Sequence, residues 1–450
     1  MERISNEQKI NSDDDSSYEE KNQQNNKIIQ IQKADNSNSD SESSDENKKD
    51  KIDENADDNK KEININEEKK NNLEENNIPN NIEKELIDSI QRKENVTKEN
   101  LILAEKINFK NKPEKIVETD EFGFIIKKKE GETELVKRNT LSKDELLTIN
   151  ARTEKWRYMI ENINVYKNRK KNKLKERTRK GIPDSLRSQI WQLFADIKRY
   201  DNQKDLFENL EKEQLDQETE ITIIKDLDRT FPACSLFTDK YGGGQRKLFK
   251  VLSNYSKFNK QIGYVQGMAY MVALFLIYMD EKSSFFLLHS IIKDYELEGI
   301  YLPGFPDLKK KFYVLLNLEK KFIPRVYEVL KRDGILPSLY ASEWFICLFC
   351  KDLKPNVLVR IFDTFLFEKY KVIYRFALAF LKMKENDFVN GKPGIVYTME
   401  VLKKILDDID IEALFKVAFS FKLSKKHIAK FEQEYERNKN DKNNEFVSQL

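Results

Sequence analysis

The stretch Gly263-Tyr264-Val265-Gln266-Gly267-Met268 leads directly into the longest apolar run of this chain, Met268 to Met279. The run has 12 residues, whereas a helix that crosses a membrane needs about 20. We therefore predict a helix buried in the core of a folded domain. Glycine tolerates a positive φ and lets the backbone approach another surface closely, so tight turns are expected at both glycines. Gln266 then lies at the positive end of a buried helix, a position that favours phosphate charge.

A second stretch, Ile223-x-x-Asp226-x-x-Arg229-Thr230-Phe231-Pro232, combines a carboxylate and a guanidinium at helical spacing. Asp226 and Arg229 stand at i and i+3, which places them on one face of a helix. Pro232 disfavours helical geometry at the residue before it, so the helix is expected to end close to Arg229 and to project this side chain. Taken alone, each stretch has an ordinary alternative: a solvated helix face for Arg229, and a glutamine that satisfies nearby backbone for Gln266.

The apolar pattern beyond Leu141 is helical almost throughout. Residues 248–258 form one apolar stripe, residues 357–366 repeat paired apolar residues, and residues 374–383 are apolar nearly all round. Proline and glycine separate these units, and no period of roughly 20 to 50 residues repeats. The sequence therefore predicts an all-α fold, built as an irregular multi-helix array rather than a solenoid.

The composition divides the chain into four parts. Residues 1–112 are rich in Asn, Asp, Glu, Ser and Lys and poor in aromatic residues. We predict that they form a disordered polar and acidic leader, because such a segment buries too little apolar surface to offset chain entropy. Residues 113–150 are predicted to be a short extended segment, with Phe122 to Ile126 as its strand-like part. The helical domain is predicted over residues 151–435, followed by a polar tail over residues 436–450.

The charge and cysteine content argue against several classes of protein. With 80 basic and 78 acidic residues, the net charge of +2 gives no general attraction to nucleic acid. No apolar segment typical of a secretory signal follows Met1, and three cysteines are too few for a disulfide framework, so we expect a cytoplasmic protein. Cys347 and Cys350 lack a second pair, and the chain has only two histidines, which argues against a metal site. Gly242-Gly243-Gly244 lacks the other residues of a phosphate-binding loop and is predicted to be a flexible loop.

Basic residues cluster between Tyr166 and Gly181. One interpretation is a solvated helix or loop face, and the other is peripheral contact with anionic lipid, for which the candidates are Lys167, Arg169, Lys170, Lys171 and Lys173. No aromatic residue beyond Tyr166 is interleaved with them. Base stacking is therefore not supported, and we do not expect a nucleic-acid partner.

Three further blocks extend the two stretches into a family resemblance. Arg179 to Trp191 reads R-K-G-I-P-D-S-L-R-S-Q-I-W, and Tyr340 to Phe345 and Arg360 to Leu366 follow the two stretches. In this order the blocks resemble those of the TBC domain family, the GTPase-activating proteins for Rab G proteins. The resemblance covers roughly Trp156 to Met383.

The resemblance implies a role for each residue of the two stretches. Arg229 is implied as an arginine finger and Gln266 as a glutamine finger, which stands in for the catalytic glutamine of the bound G protein; Asp226 and Tyr264 support them. The implied protein acts in vesicle trafficking, peripheral to endomembranes, and stimulates the reaction of a GTP-loaded Rab rather than being a self-contained enzyme. It needs no cofactor of its own, because the Rab carries GTP and Mg²⁺. A non-catalytic adaptor of the same fold, which binds a G protein or a membrane partner, is the alternative.

The chain departs from the family pattern in its C-terminal half. Phe362 stands where the family usually has tryptophan, and Glu368-Lys369 replaces a common Glu-Gly pair. These departures are expected to affect local packing and a turn rather than the two fingers. Arg187, in the first block, is expected to be structural or to face an interface.

Overall fold

The computed structural model describes residues 119–125, 143–203, 205–240 and 242–439. In these ranges the chain is an array of helices, as predicted, and strand geometry is confined to isolated bridges between Thr119 and Ile125 and between Phe124 and Cys234. A 3₁₀ helix spans Ile197–Gln203. The α-helices are α1 Lys143–Glu161, α2 Ile163–Asn168, α3 Lys171–Arg179, α4 Asp184–Phe194, α5 Leu206–Lys212, α6 Gln217–Leu227, α7 Ser235–Thr238, α8 Gly243–Phe258, α9 Met268–Tyr278, α10 Glu281–Asp294, α11 Glu298–Tyr301, α12 Leu308–Phe322, α13 Pro324–Arg332, α14 Pro337–Tyr340, α15 Ser342–Ile346, α16 Pro355–Glu368, α17 Lys371–Met383, α18 Glu385–Asn390, α19 Ile395–Lys403, α20 Ile411–Ser420 and α21 Lys425–Asn438.

The predicted segment boundaries differ from the helix ends. The leader predicted over residues 1–112 lies outside the described residues. α1 begins at Lys143, so the prediction of extended chain is wrong for residues 143–150. Acidic side chains at 144 and 145 stand in the first turn of α1, where they complement the helix dipole. Leu146 and Leu147 are exposed, and the helical pattern beyond Leu141 already extended into this segment. α21 ends at Asn438, so the predicted tail begins inside a helix.

α9 lies in the core of the described helices, and every residue from Met268 to Leu276 is buried. This confirms the buried helix predicted from the apolar run. No helix among the described residues is long and apolar enough to cross a membrane. α8 packs against both α6 and α9, because its apolar stripe faces them. α6, which precedes Arg229, and α9, which follows Gln266, therefore both pack against α8.

A buried polar network joins α4 to α16. Asp363 is completely buried and accepts hydrogen bonds from Ile182 N (2.9 Å), Arg187 Nε (3.1 Å) and Trp191 Nε1 (2.7 Å). Burial raises the pKa of Asp363, and the Arg187 guanidinium opposes that rise. Because a buried charge is tolerated only when it is paired, this network fixes the first sequence block against the last. Arg187 is buried and structural.

The two departures from the family pattern are accommodated differently. Phe362 is buried, and its ring lies 5.1 Å from that of Trp191 and 5.6 Å from that of Phe275. Lys369 has φ 65° and ψ −162°, a conformation that is essentially confined to glycine. The phenylalanine therefore fills its site, whereas the lysine is strained.

The glycine triplet is not the flexible loop that we predicted. Gly242 is the N-cap of α8, and Gly243 and Gly244 form its first turn. A Cβ on Gly244 would lie 1.8 Å from the carbonyl oxygen of Leu236. Glycine is needed here because α7 crosses the start of α8 at backbone contact.

Candidate functional site

Arg229 projects just beyond the end of α6, as the sequence predicted. Its Nη2 lies 2.6 Å from Asp226 Oδ1, and its side chain is 45% exposed whereas that of Asp226 is 6% exposed. The Tyr264 hydroxyl donates a hydrogen bond to the other carboxylate oxygen of Asp226. One buried carboxylate thus binds the phenol on one side and orients the exposed guanidinium on the other.

The backbone around Arg229 is fixed by its neighbours. Thr230 is buried, and its hydroxyl donates to the carbonyl of Asp226 at 2.7 Å. The Tyr270 hydroxyl donates to the carbonyl of Arg229 at 3.1 Å. Phe231 has φ 44°, a left-handed conformation that is rare for an aromatic residue. This reversal directs the chain away from α6 and leaves Arg229 at the surface.

Gln266 lies in the turn before α9 and is exposed. Gly263 has φ 62° and Gly267, the N-cap of α9, has φ 106°. A Cβ on Gly267 would lie 2.8 Å from Cys347 Sγ, so the turn is pressed against the segment that follows α15. Both predicted positive-φ glycines are present, and Gln266 stands at the N-terminal end of the buried helix.

Arg229 and Gln266 line the same cleft, which has a volume of about 310 Å³. We call it the finger cleft. Its other walls are Val265, Gly267, Tyr270, Phe305, Glu343, Ile346, Cys347 and Lys351. The structure thus brings together, at the surface, the two side chains that the sequence singled out, with Asp226 and Tyr264 as the layer behind Arg229.

The phenol behind the finger cleft and the thiol in its wall both keep their protons. Burial raises the pKa of Tyr264, and the adjacent Asp226 raises it further, so the hydroxyl remains a donor near neutral pH. Burial raises the pKa of Cys347 to about 12, which keeps this residue a thiol and makes it a poor nucleophile. Lys351 and Glu343 form an ion pair in the wall of the cleft, and Arg229 is the exposed partner of its pair with buried Asp226.

Several residues of the finger cleft were not anticipated from the sequence. Phe305 is 40% exposed with φ 52°, and the signal that could have indicated it is a lone aromatic between Pro303 and Pro306. Glu343 belongs to the block Tyr340 to Phe345, which we had used only for its position in the order of the family blocks. Lys351 lies in the turn after α15, shortly after two residues with positive φ, Leu348 and Phe349.

The predicted membrane-contact residues differ in their exposure to solvent. Lys167 is half-buried, and its Nζ donates to the carbonyl of Leu193 at 3.1 Å. Burial lowers the pKa of Lys167. Arg169 and Lys171 are exposed, whereas Lys170 and Lys173 are intermediate and have contacts within the protein. Only part of the run therefore faces solvent.

Metal-binding geometry is not found among the described residues, since no group of three or more His, Cys, Asp or Glu is suitably placed. Cys347 and Cys350 are buried and free. They lie in the turn that follows α15.

Comparison with known proteins identifies the class of this fold. Residues 184–389 match the family model of the Rab-GTPase-TBC domain. The chain is 32% identical to the TBC1 domain family member whacked of Drosophila melanogaster, over 59% of this chain and 73% of that protein. It is 31% identical to the Rab GTPase-activating protein tbc-11 of Caenorhabditis elegans, over 63% of this chain and 31% of that protein. Its fold is similar to that of the Chlamydomonas flagellar RabGAP TBC domain, with a TM-score of 0.54, 24% identity and coverage of 67% of this chain and 98% of that one.

These matches define a multi-helix domain of the Rab-GTPase-TBC type. The chain belongs to the TBC domain family. It spans about a third of the length of tbc-11 and of the ecotropic viral integration site 5 ortholog of Drosophila melanogaster, at 31% and 32% of those proteins.

Proposed function

We propose that this protein accelerates GTP hydrolysis by a Rab-family small G protein, by inserting Arg229 and Gln266 into the nucleotide site of the GTP-loaded partner. The observation that carries the proposal is the convergence of these two side chains on one exposed cleft. They are separated along the chain by α7 and α8, so only the tertiary fold brings them together. GTP and Mg²⁺ belong to the partner.

Each side chain suits one need of phosphoryl transfer. A guanidinium is always charged, and its planar fork matches phosphate oxygens, so Arg229 would neutralise charge that develops on the phosphates. A carboxamide both donates and accepts, so Gln266 would orient the attacking water. Because Asp226 already orients Arg229 in the free protein, little reorganisation would be needed when the partner binds.

The experiment is single-turnover GTP hydrolysis across a panel of Rab proteins, with wild type, Arg229→Ala and Gln266→Ala. We expect wild type to accelerate hydrolysis by at least one Rab, and Arg229→Ala to lower the accelerated rate by roughly 10³-fold. Arg157→Ala is a matched control, because Arg157 is also exposed and paired with a carboxylate three residues earlier. Gln261→Ala is the control for Gln266→Ala, since Gln261 is exposed in the same loop.

Two results would contradict the proposal. If wild type accelerates several Rab proteins and both Arg229→Ala and Gln266→Ala match it, the two-finger mechanism is excluded. Binding to GTP-loaded Rab proteins with no acceleration across the panel would instead support a non-catalytic adaptor.

The same proposal includes a cytoplasmic location at the periphery of endomembranes, with Arg169 and Lys171 as the exposed lipid-facing pair. Attraction to anionic lipid falls with added salt. Wild type is therefore expected to sediment with phosphatidylserine vesicles at low salt and less at high salt. Equal sedimentation of an Arg169→Ala/Lys171→Ala variant would contradict the membrane contact.

A further inference from the structure

Residues 119–125, which we call the turn segment, form a compact turn ahead of the helical array. The Asp120 side chain accepts hydrogen bonds from Phe122 N at 2.9 Å and Phe124 N at 2.8 Å. Gly123 has φ 82°, and its N–H donates to the carbonyl of Asp120 at 3.0 Å. An aspartate that accepts from the following backbone in this way fixes a turn. The turn segment therefore has its own defined conformation.

The turn segment is bonded to the loop that carries Arg229. Ile125 N donates to the carbonyl of Ala233 at 2.7 Å, and Ser235 N donates to the carbonyl of Gly123 at 2.8 Å. The turn segment lies outside residues 184–389, the part matched by the family model. It thus adds a strand-like pairing to the chain immediately after Arg229-Thr230-Phe231-Pro232.

A series of edge-to-face aromatic contacts continues from the turn segment toward Arg229. The Phe124 ring lies 5.5 Å from that of Phe231 in an edge-to-face arrangement. The Phe231 ring also lies 5.8 Å from that of Tyr270, whose hydroxyl donates a hydrogen bond to the carbonyl of Arg229. Phe124 and Phe231 also share an apolar cavity with Leu274 and other core residues.

The position of Phe231 shows why such support is needed. Its φ of 44° is unfavourable for a residue with a Cβ and persists only when the surroundings impose it. The Phe124 and Tyr270 rings are both in contact with the Phe231 ring and belong to the surroundings that hold this conformation.

We propose that Phe124 is a positioning residue for Arg229, acting through Phe231 and the strained turn. The inference rests on the proposed function, because it assigns the turn segment to the same reaction. A displacement of about 1 Å in a catalytic group is enough to lower a rate by up to 10²-fold. Loss of Phe124 therefore lowers the maximal rate of hydrolysis without weakening capture of the partner.

The test uses the full chain with Phe124→Ala and Asp120→Ala in single-turnover hydrolysis on a responsive Rab. Asp120→Ala removes the acceptor that fixes the turn but leaves the Phe124 side chain itself unaltered. Both variants are expected to lower the maximal rate by about 10-fold or more, while the half-saturating concentration changes by less than about 2-fold. Phe124→Leu keeps an apolar contact and Asp120→Asn keeps an acceptor, so both are expected to recover most of the rate. Phe431→Ala, at another partly buried phenylalanine, controls for general loss of packing.

The outcomes separate this inference from the proposed function. If wild type accelerates no Rab, the proposed function fails and the positioning role falls with it. If wild type is active and Arg229→Ala is not, while Phe124→Ala and Asp120→Ala match wild type, only the positioning role is overturned. A raised half-saturating concentration at an unchanged maximal rate would also overturn it, as would an equal loss in Phe431→Ala.

Discussion

At the scale of single residues, the Asp226 carboxylate determines the direction of Arg229. Two donors bind it, the Tyr264 hydroxyl and the Arg229 guanidinium. An exposed ion pair contributes little by itself, but this carboxylate is buried and the guanidinium is not. The buried Asp226 carboxylate therefore fixes the direction of the Arg229 side chain, while the exposed part of the guanidinium can face a ligand.

We predict that Asp226→Asn lowers the maximal rate of partner hydrolysis by roughly 10- to 100-fold, because the neutral amide no longer orients the guanidinium. Tyr264→Phe keeps the ion pair but leaves the buried carboxylate short of a donor. Its main effect is therefore a loss of about 1–3 kcal/mol in the free energy of unfolding. Single-turnover kinetics and urea unfolding measure the two effects.

Asp228→Asn is the matched control, since Asp228 is a nearby carboxylate whose partner is Lys240 rather than Arg229. We expect it to leave the rate unchanged. An Asp226→Asn variant as active as Asp228→Asn would show that Asp226 does not orient Arg229.

The positions of Arg229 and Gln266 could be predicted because the signals for them are local in the sequence. Spacing at i and i+3, the proline after Phe231 and the flanking glycines are all encoded within ten residues or so. Phe305 and Lys351 face the same cleft from distant elements. Only tertiary packing brings these two residues to the cleft, so no local sequence pattern indicates that they line it.

At the scale of elements, the turn from α16 to α17 is strained at Lys369. Its φ of 65° with ψ −162° suits glycine, which has no Cβ to clash. The lysine compensates in part, because its Nζ donates to the carbonyl of Asp294 at 3.0 Å. The turn itself is held by Glu368, which pairs with Arg179 and Lys371.

We predict that Lys369→Gly raises the free energy of unfolding by about 1 kcal/mol, since relief of strain exceeds the loss of one exposed hydrogen bond. Lys369→Ala keeps the Cβ and loses the hydrogen bond, so it is expected to be less stable than wild type. Urea unfolding of the three proteins measures the order. A glycine variant no more stable than the alanine variant would show that the turn is not strained.

Element boundaries were predicted less well than element types. α8, α9, α16 and α17 follow from apolar periodicity, because their buried faces are wide. At the start of α1 the leucines are exposed, so the helix has no wide buried face there and the boundary at residue 151 missed its first two turns. The glycine triplet was misjudged because close contact between α7 and α8, rather than a loop, requires it.

At the scale of the whole molecule, a buried acid couples folding to pH. Glu319 in α12 is 1% exposed and accepts a hydrogen bond from the Tyr340 hydroxyl. Burial raises its pKa from 4.5 to about 8, and the hydrogen bond opposes part of that rise. The folded protein therefore holds a proton at Glu319 that the unfolded chain releases near pH 4.5.

Because the folded-state pKa is the higher one, the stabilising contribution of this group is complete below about pH 4.5 and is lost as the pH rises toward 8. We predict that the free energy of unfolding of Glu319→Gln minus that of wild type increases as the pH rises from about 4.5 to 8. The increase is a few kcal/mol, on the order expected from the shift in pKa. Urea unfolding at a series of pH values measures it. A constant difference between the two proteins would contradict the buried, protonated state of Glu319.

The account as a whole rests on two side chains that act together on one bound nucleotide. The most direct measurement is the maximal single-turnover rate of a responsive Rab with wild type, Arg229→Ala, Gln266→Ala and the double variant. Groups that act as a unit are strongly non-additive. We predict that each single variant loses most of the acceleration and that the double variant is less than about 10-fold slower than the poorer single one. A double variant slowed by the product of the two single losses, or single variants as fast as wild type, would contradict the account.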